Sequence, residues 1–139
     1  MKVKQPTVGA IFKINEYVCQ EGGNPYRPLA GARGKVESAL HSAFYPGIYP
    51  FVHGGVAAMG GALTFYLTQA HAFQDGNKRT AAIAGSTFME MNGWELKYAQ
   101  NLKTDKNDFA DIILKCASGK ASKEEVIGWF EAHKVRASG

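Results

Sequence analysis

The sequence predicts a compact all-α domain of six helices with one short aromatic flap. Its 139 residues suit a single domain, so we expect one domain over residues 1–139. Hydrophobic residues make up 45% and charged residues 20% of the chain, which is typical of a globular protein with a real core. Apolar residues recur mainly at helical spacing, and glycine or proline separates the periodic segments.

The first helix is expected to begin after Thr7 and to end at Gly22, because a polar residue and a glycine pair bound its apolar residues. Its apolar face is predicted to comprise Ile11, Ile14, Tyr17 and Val18. The next four helices are expected at residues 32–42, 56–67, 77–91 and 109–116. The sixth should begin after Ser122, since Ser122 and Glu125 have the spacing of a capping box.

Strand signals are weak. Residues 44–52 are rich in aromatic side chains, but two prolines make this segment a loop or an edge hairpin rather than a central strand. At least two of its rings are expected in the core. The others form a flap that is suited to anchor a target segment.

Charge and cysteine content exclude several classes. The net charge of +4 favours polyanions weakly and is too small for a polybasic nucleic-acid arm. Because positive charge gathers beside Asp75 rather than along one exposed helix, we expect no direct nucleic-acid partner. Residues 38–74 contain no Asp, Glu, Lys or Arg, but their prolines and glycines favour a buried central element over a membrane span. Cys19 and Cys116 lack metal-ligand spacing and no apolar presequence follows Met1, so we expect a cytoplasmic protein with ordinary thiols and no membrane partner.

The polar sequence HAFQDGNKR, between the third and fourth helices, carries the candidate chemistry. A helix N-terminus after Gly76 offers backbone N–H groups, and Lys78 and Arg79 add two cations, so this turn predicts an anion site. Asp75 is the nearby carboxylate, a typical ligand for Mg²⁺ held together with nucleotide phosphates. His71 is suited to remove a proton from a hydroxyl near neutral pH. These residues together predict phosphate chemistry.

Other interpretations stay open at the level of residue types. The turn could be solvated and purely structural, with Asp75 starting the fourth helix and Arg79 neutralising it. His71 and Asp75 have the spacing of zinc ligands on a helix, but Gly76 argues against a continuous helix there. An inactive helical binding module or a small DNA-binding regulator is a further alternative.

Residues 71–79 resemble the signature of the Fic/Doc family, and Lys78 is similar to the Doc (death-on-curing) branch of toxins. Further segments resemble Doc elements in the same order, namely residues 22–23, 33–40, 88–93 and 117–129. The resemblance implies a toxin of a type II toxin–antitoxin pair that uses ATP and Mg²⁺ to phosphorylate a hydroxyl of a target protein, with elongation factor Tu as the known kind of target. Members with Gly in place of Lys78 usually transfer AMP, which is the alternative.

The resemblance also implies roles by position. His71 would activate the target hydroxyl, Asp75 would hold Mg²⁺, and Lys78 and Arg79 would act directly on the transferred group. Nucleotide and phosphate binding would fall to Gly76, Asn77, Lys78 and Arg79. Phe73 would be a core plug outside the catalytic set.

The sequence departs from the family pattern in three places. Ala82 stands where AMP-transferring members carry a second arginine, which favours the kinase. Gly76 stands where the best-known Doc protein has Ala. The family's inhibitory sequence, a Ser or Thr followed three residues later by Glu and then by Gly or Asn, is not found, so we expect inhibition in trans by a cognate antitoxin with a segment that folds along the helical surface.

Overall fold

The computed structural model describes residues 3–44, 54–103 and 106–137 of the chain. Within these ranges the helices are α1 (Val8–Gly22), α2 (Ala32–Phe44), α3 (Val56–Ala70), α4 (Asn77–Met91), α5 (Asp108–Ala117) and α6 (Lys123–His133). Each lies within a few residues of its predicted position, so the predicted fold class is confirmed. No helix in the described ranges combines the length and the hydropathy needed to span a bilayer.

Capping side chains explain several helix ends. The Thr7 hydroxyl accepts a hydrogen bond from the Ala10 N–H at 3.1 Å, and Gly23 ends α1 in the left-handed conformation. At the start of α6, Ser122 Oγ accepts from the Glu125 N–H and the Glu125 carboxylate accepts from the Ser122 N–H. The predicted capping box is therefore confirmed.

The central element of the bundle is α3, which packs against α2, α4, α5 and α6. Two glycines on α3 allow the close approach of its neighbours. A Cβ atom on Gly61 would lie 2.8 Å from Ile127 Cα, and one on Gly60 would lie 3.0 Å from Met89 Sδ. The charge-free segment thus supplies the buried centre, as predicted for the part that the structure describes.

The buried face of α1 differs from the predicted face. Tyr17 is 56% exposed, so its assignment to the apolar face is wrong. Ile11, Val18 and Cys19 are buried together with one polar residue, Asn15. The reason is that α1 packs on α4 through residues spaced three and four apart from Ile11, and Tyr17 falls outside that spacing.

Within the described part of the chain, four short strands form two small sheets that the sequence does not predict. Strand β1 (Trp94–Leu96) pairs antiparallel with β4 (Lys134–Arg136), and β2 (Gln100–Asn101) pairs antiparallel with β3 (Lys106–Asn107). Strands of two or three residues are too short to show an alternating pattern. They are small additions to a helical fold.

The predicted aromatic flap lies almost entirely outside the described residues. The exception is Phe44, the last residue of α2, which is buried with its ring centroid 4.8 Å from that of Phe88. Phe44 is therefore a core residue.

An aromatic cluster forms the C-terminal part of the core; we define it as Tyr98, Phe109, Trp129, Phe130 and His133. The Phe109 and Trp129 rings stack with centroids 4.9 Å apart. The edge of Phe130 meets Phe109 at 5.6 Å, and His133 stacks on Trp129 at 4.0 Å. This cluster joins α5 to α6 through apolar burial and ring contacts.

Candidate active site

The loop from His71 to Gly76 connects α3 to α4 and carries most of the predicted site. His71 ends α3 with a φ of 48°, and it is the sole non-glycine residue with positive φ in the described ranges. Gly76 has a φ of 77° and immediately precedes α4. A left-handed conformation at a residue other than glycine costs of order 1–3 kcal/mol and persists where the surroundings hold it. The residue predicted as the base is thus held in an unusual backbone conformation.

The Asn77 side chain closes this loop on itself. Its Oδ1 accepts a hydrogen bond from the Phe73 N–H at 3.1 Å, and its Nδ2 donates to the Phe73 carbonyl at 2.6 Å. Phe73 is buried, and its ring meets Phe12 edge-on with centroids 5.1 Å apart. Phe73 is therefore the core plug that the resemblance implies, and the Asn77 side chain is used within the loop.

Residues 27–29 run antiparallel to the loop and form backbone hydrogen bonds with it. The Leu29 N–H donates to the Ala72 carbonyl, and the Gln74 N–H donates to the Arg27 carbonyl, both at 2.9 Å. Lys35 Nζ also donates to the His71 carbonyl at 3.5 Å. Because backbone and side-chain donors both act on the loop, its conformation is fixed along its length.

The first helix supports the turn at Asp75 and Gly76. Asn15 Nδ2 donates to the Asp75 carbonyl at 2.8 Å and to Thr80 Oγ1 at 3.1 Å. A Cβ on Gly76 would lie 2.9 Å from Val18 Cγ1. The sequence suggests glycine here so that the backbone can approach a phosphate; the positive φ and the packing against α1 are two further reasons for it.

Cys19 also faces this turn, with Sγ 3.7 Å from the Asp75 carbonyl oxygen. Burial raises the pKa of the Cys19 thiol, and the negative charge of Asp75 raises it further. The thiol therefore stays protonated at neutral pH and acts as a weak donor. Cys19 is a structural contact of the loop rather than a nucleophile.

The first turn of α4 presents two cations to solvent. Lys78 and Arg79 are exposed, the turn contains no acidic residue, and Gly76 provides no capping side chain. Neither cation forms an ion pair with another residue of the described ranges. Positive charge at the positive end of a helix dipole is unfavourable, so an anion bound to this turn would relieve the repulsion.

Asp75 is partly exposed, with its backbone carbonyl held by α1. No group of three or more His, Cys, Asp and Glu residues that could hold a metal occurs in the described ranges, so the zinc interpretation gains no third ligand there. A single carboxylate beside an anion site does suit Mg²⁺, which is commonly held by one or two carboxylates and by substrate phosphates.

A groove of about 590 Å³ is lined by α4 from Arg79 to Glu90 and by the start of α5. Ser86 and Thr87 contribute hydroxyl groups to it, and Tyr98 and Phe109 contribute rings. Its volume is within the range of small-molecule sites. The cationic turn is thus continuous with a concave surface of mixed polarity.

Comparison with protein families decides the classification. The model of the Fic/DOC family matches residues 6–89, which is more than half of the chain. The chain belongs to the Fic/DOC family. Membership of Fic/DOC implies a transferase that modifies proteins with a nucleoside triphosphate, typically with Mg²⁺. No match to a curated protein was found.

The Fic/DOC match includes α1, the loop and most of α4, and it ends before the aromatic cluster. Two residues of the site region were missed by reasoning from sequence. Asn15 carried a weak signal, since it is a polar residue four positions after the apolar Ile11. Lys35 is expected from the sequence on the solvated surface, with a place near the nucleotide as the alternative, and its contact with the His71 carbonyl is not predicted.

Proposed function

We propose that this protein is a Doc-like kinase that transfers the γ-phosphate of ATP to a Ser or Thr hydroxyl of a target protein. In this proposal it is the toxin of a type II toxin–antitoxin pair, and phosphorylation of elongation factor Tu or a similar protein blocks translation. Family membership supports the general transfer chemistry. The choice of the γ-phosphate depends on Lys78.

The kinase proposal depends on the position of Lys78. It is an exposed cation in the first turn of α4, next to Arg79 and without an acidic partner in that turn. A lysine in the anion site fills space that the α- and β-phosphates would need, and it favours a nucleotide orientation that presents the γ-phosphate. Glycine at this position, as in AMP-transferring members, would leave that space open.

The proposed reaction is an in-line transfer. His71 takes the proton of the target hydroxyl, and the oxygen forms a bond to the γ-phosphorus. The bond between the γ-phosphorus and the β,γ-bridging oxygen breaks, and ADP leaves. Lys78, Arg79 and the backbone N–H groups at the start of α4 stabilise the charge on the transferred phosphoryl group.

Asp75 is the residue proposed to hold Mg²⁺, which would neutralise phosphate charge when bound. The Asn15 bond to the Asp75 carbonyl fixes the backbone from which the carboxylate extends. Asp75 also lies four residues after His71, at the opposite end of the same short loop. This arrangement suits a base and a metal ligand that act on one substrate.

Transfer of AMP to a protein hydroxyl is the second candidate, since membership of the Fic/DOC family is compatible with either transfer. Incubation of the protein with γ-labelled or α-labelled ATP and a bacterial lysate separates the two. Label from γ-ATP on a target protein supports the kinase. Label from α-ATP on the target overturns it in favour of AMP transfer.

Three variants sharpen this experiment. Lys78→Gly should reduce γ-label transfer, whereas Lys103→Gly, which removes an exposed lysine of the 102–103 turn, should leave it unchanged. His71→Ala should lose transfer of either label. Transfer that persists in His71→Ala would contradict the role of His71 as the base. Growth arrest that persists in His71→Ala without any label transfer would favour an inactive binding module.

The antitoxin is proposed to act in trans, through a segment that folds on the helical surface. Expression of the chain alone should arrest growth, and co-expression with the product of a neighbouring gene should restore it. Arrest that no neighbouring gene product relieves would contradict the proposed pairing.

A further inference from the structure

Asn15 differs from the other polar residues of α1 because it is completely buried. Its relative exposure is 0%, although it lies in the middle of the helix and far from either end. A buried amide that loses water must recover its hydrogen bonds. All of the partners of Asn15 can be identified, and two of the three lie at the start of α4 or immediately before it.

The amide of Asn15 connects both sides of the Gly76 turn. One N–H donates to the Asp75 carbonyl before Gly76, and the other donates to Thr80 Oγ1 after it. The Oδ1 of Asn15 accepts from Cys19 Sγ at 3.5 Å. Because one rigid amide group holds a residue on each side of the turn, it sets the direction in which the turn meets α4.

The bond to the Asp75 carbonyl also determines where the next N–H points. The described peptide bonds are trans, and in a planar trans peptide the C=O and N–H groups point in opposite directions. The Asp75 carbonyl is directed at α1, so the Gly76 N–H is directed away from α1. That N–H therefore faces the side on which an anion can approach the turn.

We infer that Asn15 is a positioning residue that aims the Gly76 N–H and the start of α4 at the phosphates of the substrate. The inference rests on the proposed function, because it assumes that this turn binds phosphate. Asn15 itself does not face the anion side and acts through the Asp75 carbonyl and Thr80. Val18 supports the same geometry, since it packs where a Cβ of Gly76 would lie.

The test compares nucleotide affinity in three full-length proteins. Asn15→Leu keeps a similar volume and removes both donors. Thr68→Val is the matched control, because Thr68 is 1% exposed and donates to the Thr64 carbonyl at 2.8 Å within α3, away from the turn. Calorimetry with a nonhydrolysable ATP analogue and Mg²⁺ gives Kd, and thermal unfolding gives Tm for each protein.

We expect Asn15→Leu to raise the Kd of the analogue by at least about tenfold. This is the usual effect of losing one hydrogen bond to a charged group. Thr68→Val should lower Tm and leave Kd unchanged. In two-dimensional NMR without ligand, Asn15→Leu should shift the amide signal of Gly76 while signals of α6 stay in place. A purely structural role would lower Tm in both variants and change Kd in neither.

If Asn15→Leu does not fold, Asn15→Ser is measured instead, since its hydroxyl is too short to make both bonds and it leaves room for water. Wild-type affinity in a folded variant would overturn the inference and leave the proposed function intact. Failure of the wild-type protein to bind the analogue would overturn both.

Discussion

Two regions of this protein are held together by different interactions. The loop from His71 to Gly76 is fixed by directional hydrogen bonds from α1, from α4 and from residues 27–29. The aromatic cluster is held by stacked and edge-on rings on α5 and α6, with one hydrogen bond from the His133 ring to the Trp129 carbonyl. The Fic/DOC match includes the first region and ends before the second.

The difference follows from what each region has to preserve. A loop with two left-handed residues exposes backbone groups that need partners, and each partner also fixes a direction. Apolar burial is non-directional, so the cluster stabilises the fold without specifying the geometry of any one group. We therefore expect changes in the loop to affect activity more than stability, and changes in the cluster to do the reverse.

The largest expected effect is on activity, from His71→Ala. Loss of a general base typically reduces the rate by about 10²–10⁴-fold. Since His71 is exposed, Tm should change little. The matched variant is His133→Ala in the aromatic cluster, which should lower Tm and retain phosphoryl transfer. Equal rates in the His71→Ala and wild-type proteins would show that His71 is not the general base.

The cluster should respond most strongly to Phe109→Ala. The ring is 5% exposed and contacts both Trp129 and Phe130, so its removal should lower the free energy of unfolding by about 3–5 kcal/mol. Urea denaturation measures this value. Phe130→Leu changes a fully buried ring of the same cluster that does not line the groove at Arg79, so calorimetry on this variant should give the wild-type Kd for the ATP analogue. A weaker Kd would show that the two regions are coupled.

Three glycine substitutions separate strain at the site from strain elsewhere. Gly76→Ala and Gly61→Ala should each destabilise the protein by about 1–3 kcal/mol, since the added Cβ would lie 2.9 Å from Val18 and 2.8 Å from Ile127. Only Gly76→Ala should also weaken nucleotide binding. Gly128→Ala meets no atom within 4 Å and should stabilise α6 by up to about 1 kcal/mol. Equal Kd values for Gly76→Ala and Gly61→Ala would contradict this separation.

The smallest effect concerns two buried thiols. Burial raises the pKa of both Cys19 and Cys116 above the ordinary value of 9.0. Above that pH the unfolded chain loses these protons while the folded chain keeps them, so the free energy of unfolding should fall by up to about 1.4 kcal/mol per pH unit per thiol. At lower pH the thiols are protonated in both states and stability should not change through them.

Unfolding measured at pH 7.5, 9 and 10 checks this prediction. Between pH 9 and pH 10 the free energy of unfolding should fall less for Cys19→Ala than for the wild-type protein. Identical slopes would mean that the Cys19 thiol does not titrate in this way.

Sequence patterns predicted the helices, and the position of the loop between α3 and α4, because both are local features. Periodicity locates a helix from residues three and four apart, and the residues from His71 to Arg79 are contiguous in the chain. The contact of Asn15 with Asp75 spans 60 positions and leaves no such pattern. The wrong placement of Tyr17 has the same origin, since periodicity gives a helix but the packing partner selects its buried face.

The strands were missed for a related reason. Trp94 pairs with Arg136, which lies 42 positions later in the chain, and the Arg136 guanidinium lies over the Trp94 ring at 4.6 Å. Tertiary packing of this kind stabilises strands too short to have a signal of their own. Local patterns also do not determine which phosphate is transferred, because that depends on how a nucleotide lies against Lys78.

A crystal structure with a nonhydrolysable ATP analogue and Mg²⁺ tests the central claim most directly. The proposal predicts phosphate oxygens against the N–H groups at the start of α4, with the γ-phosphorus nearest to His71. An α-phosphorus nearest to His71 would contradict the kinase, and a nucleotide bound away from this turn would contradict the site itself.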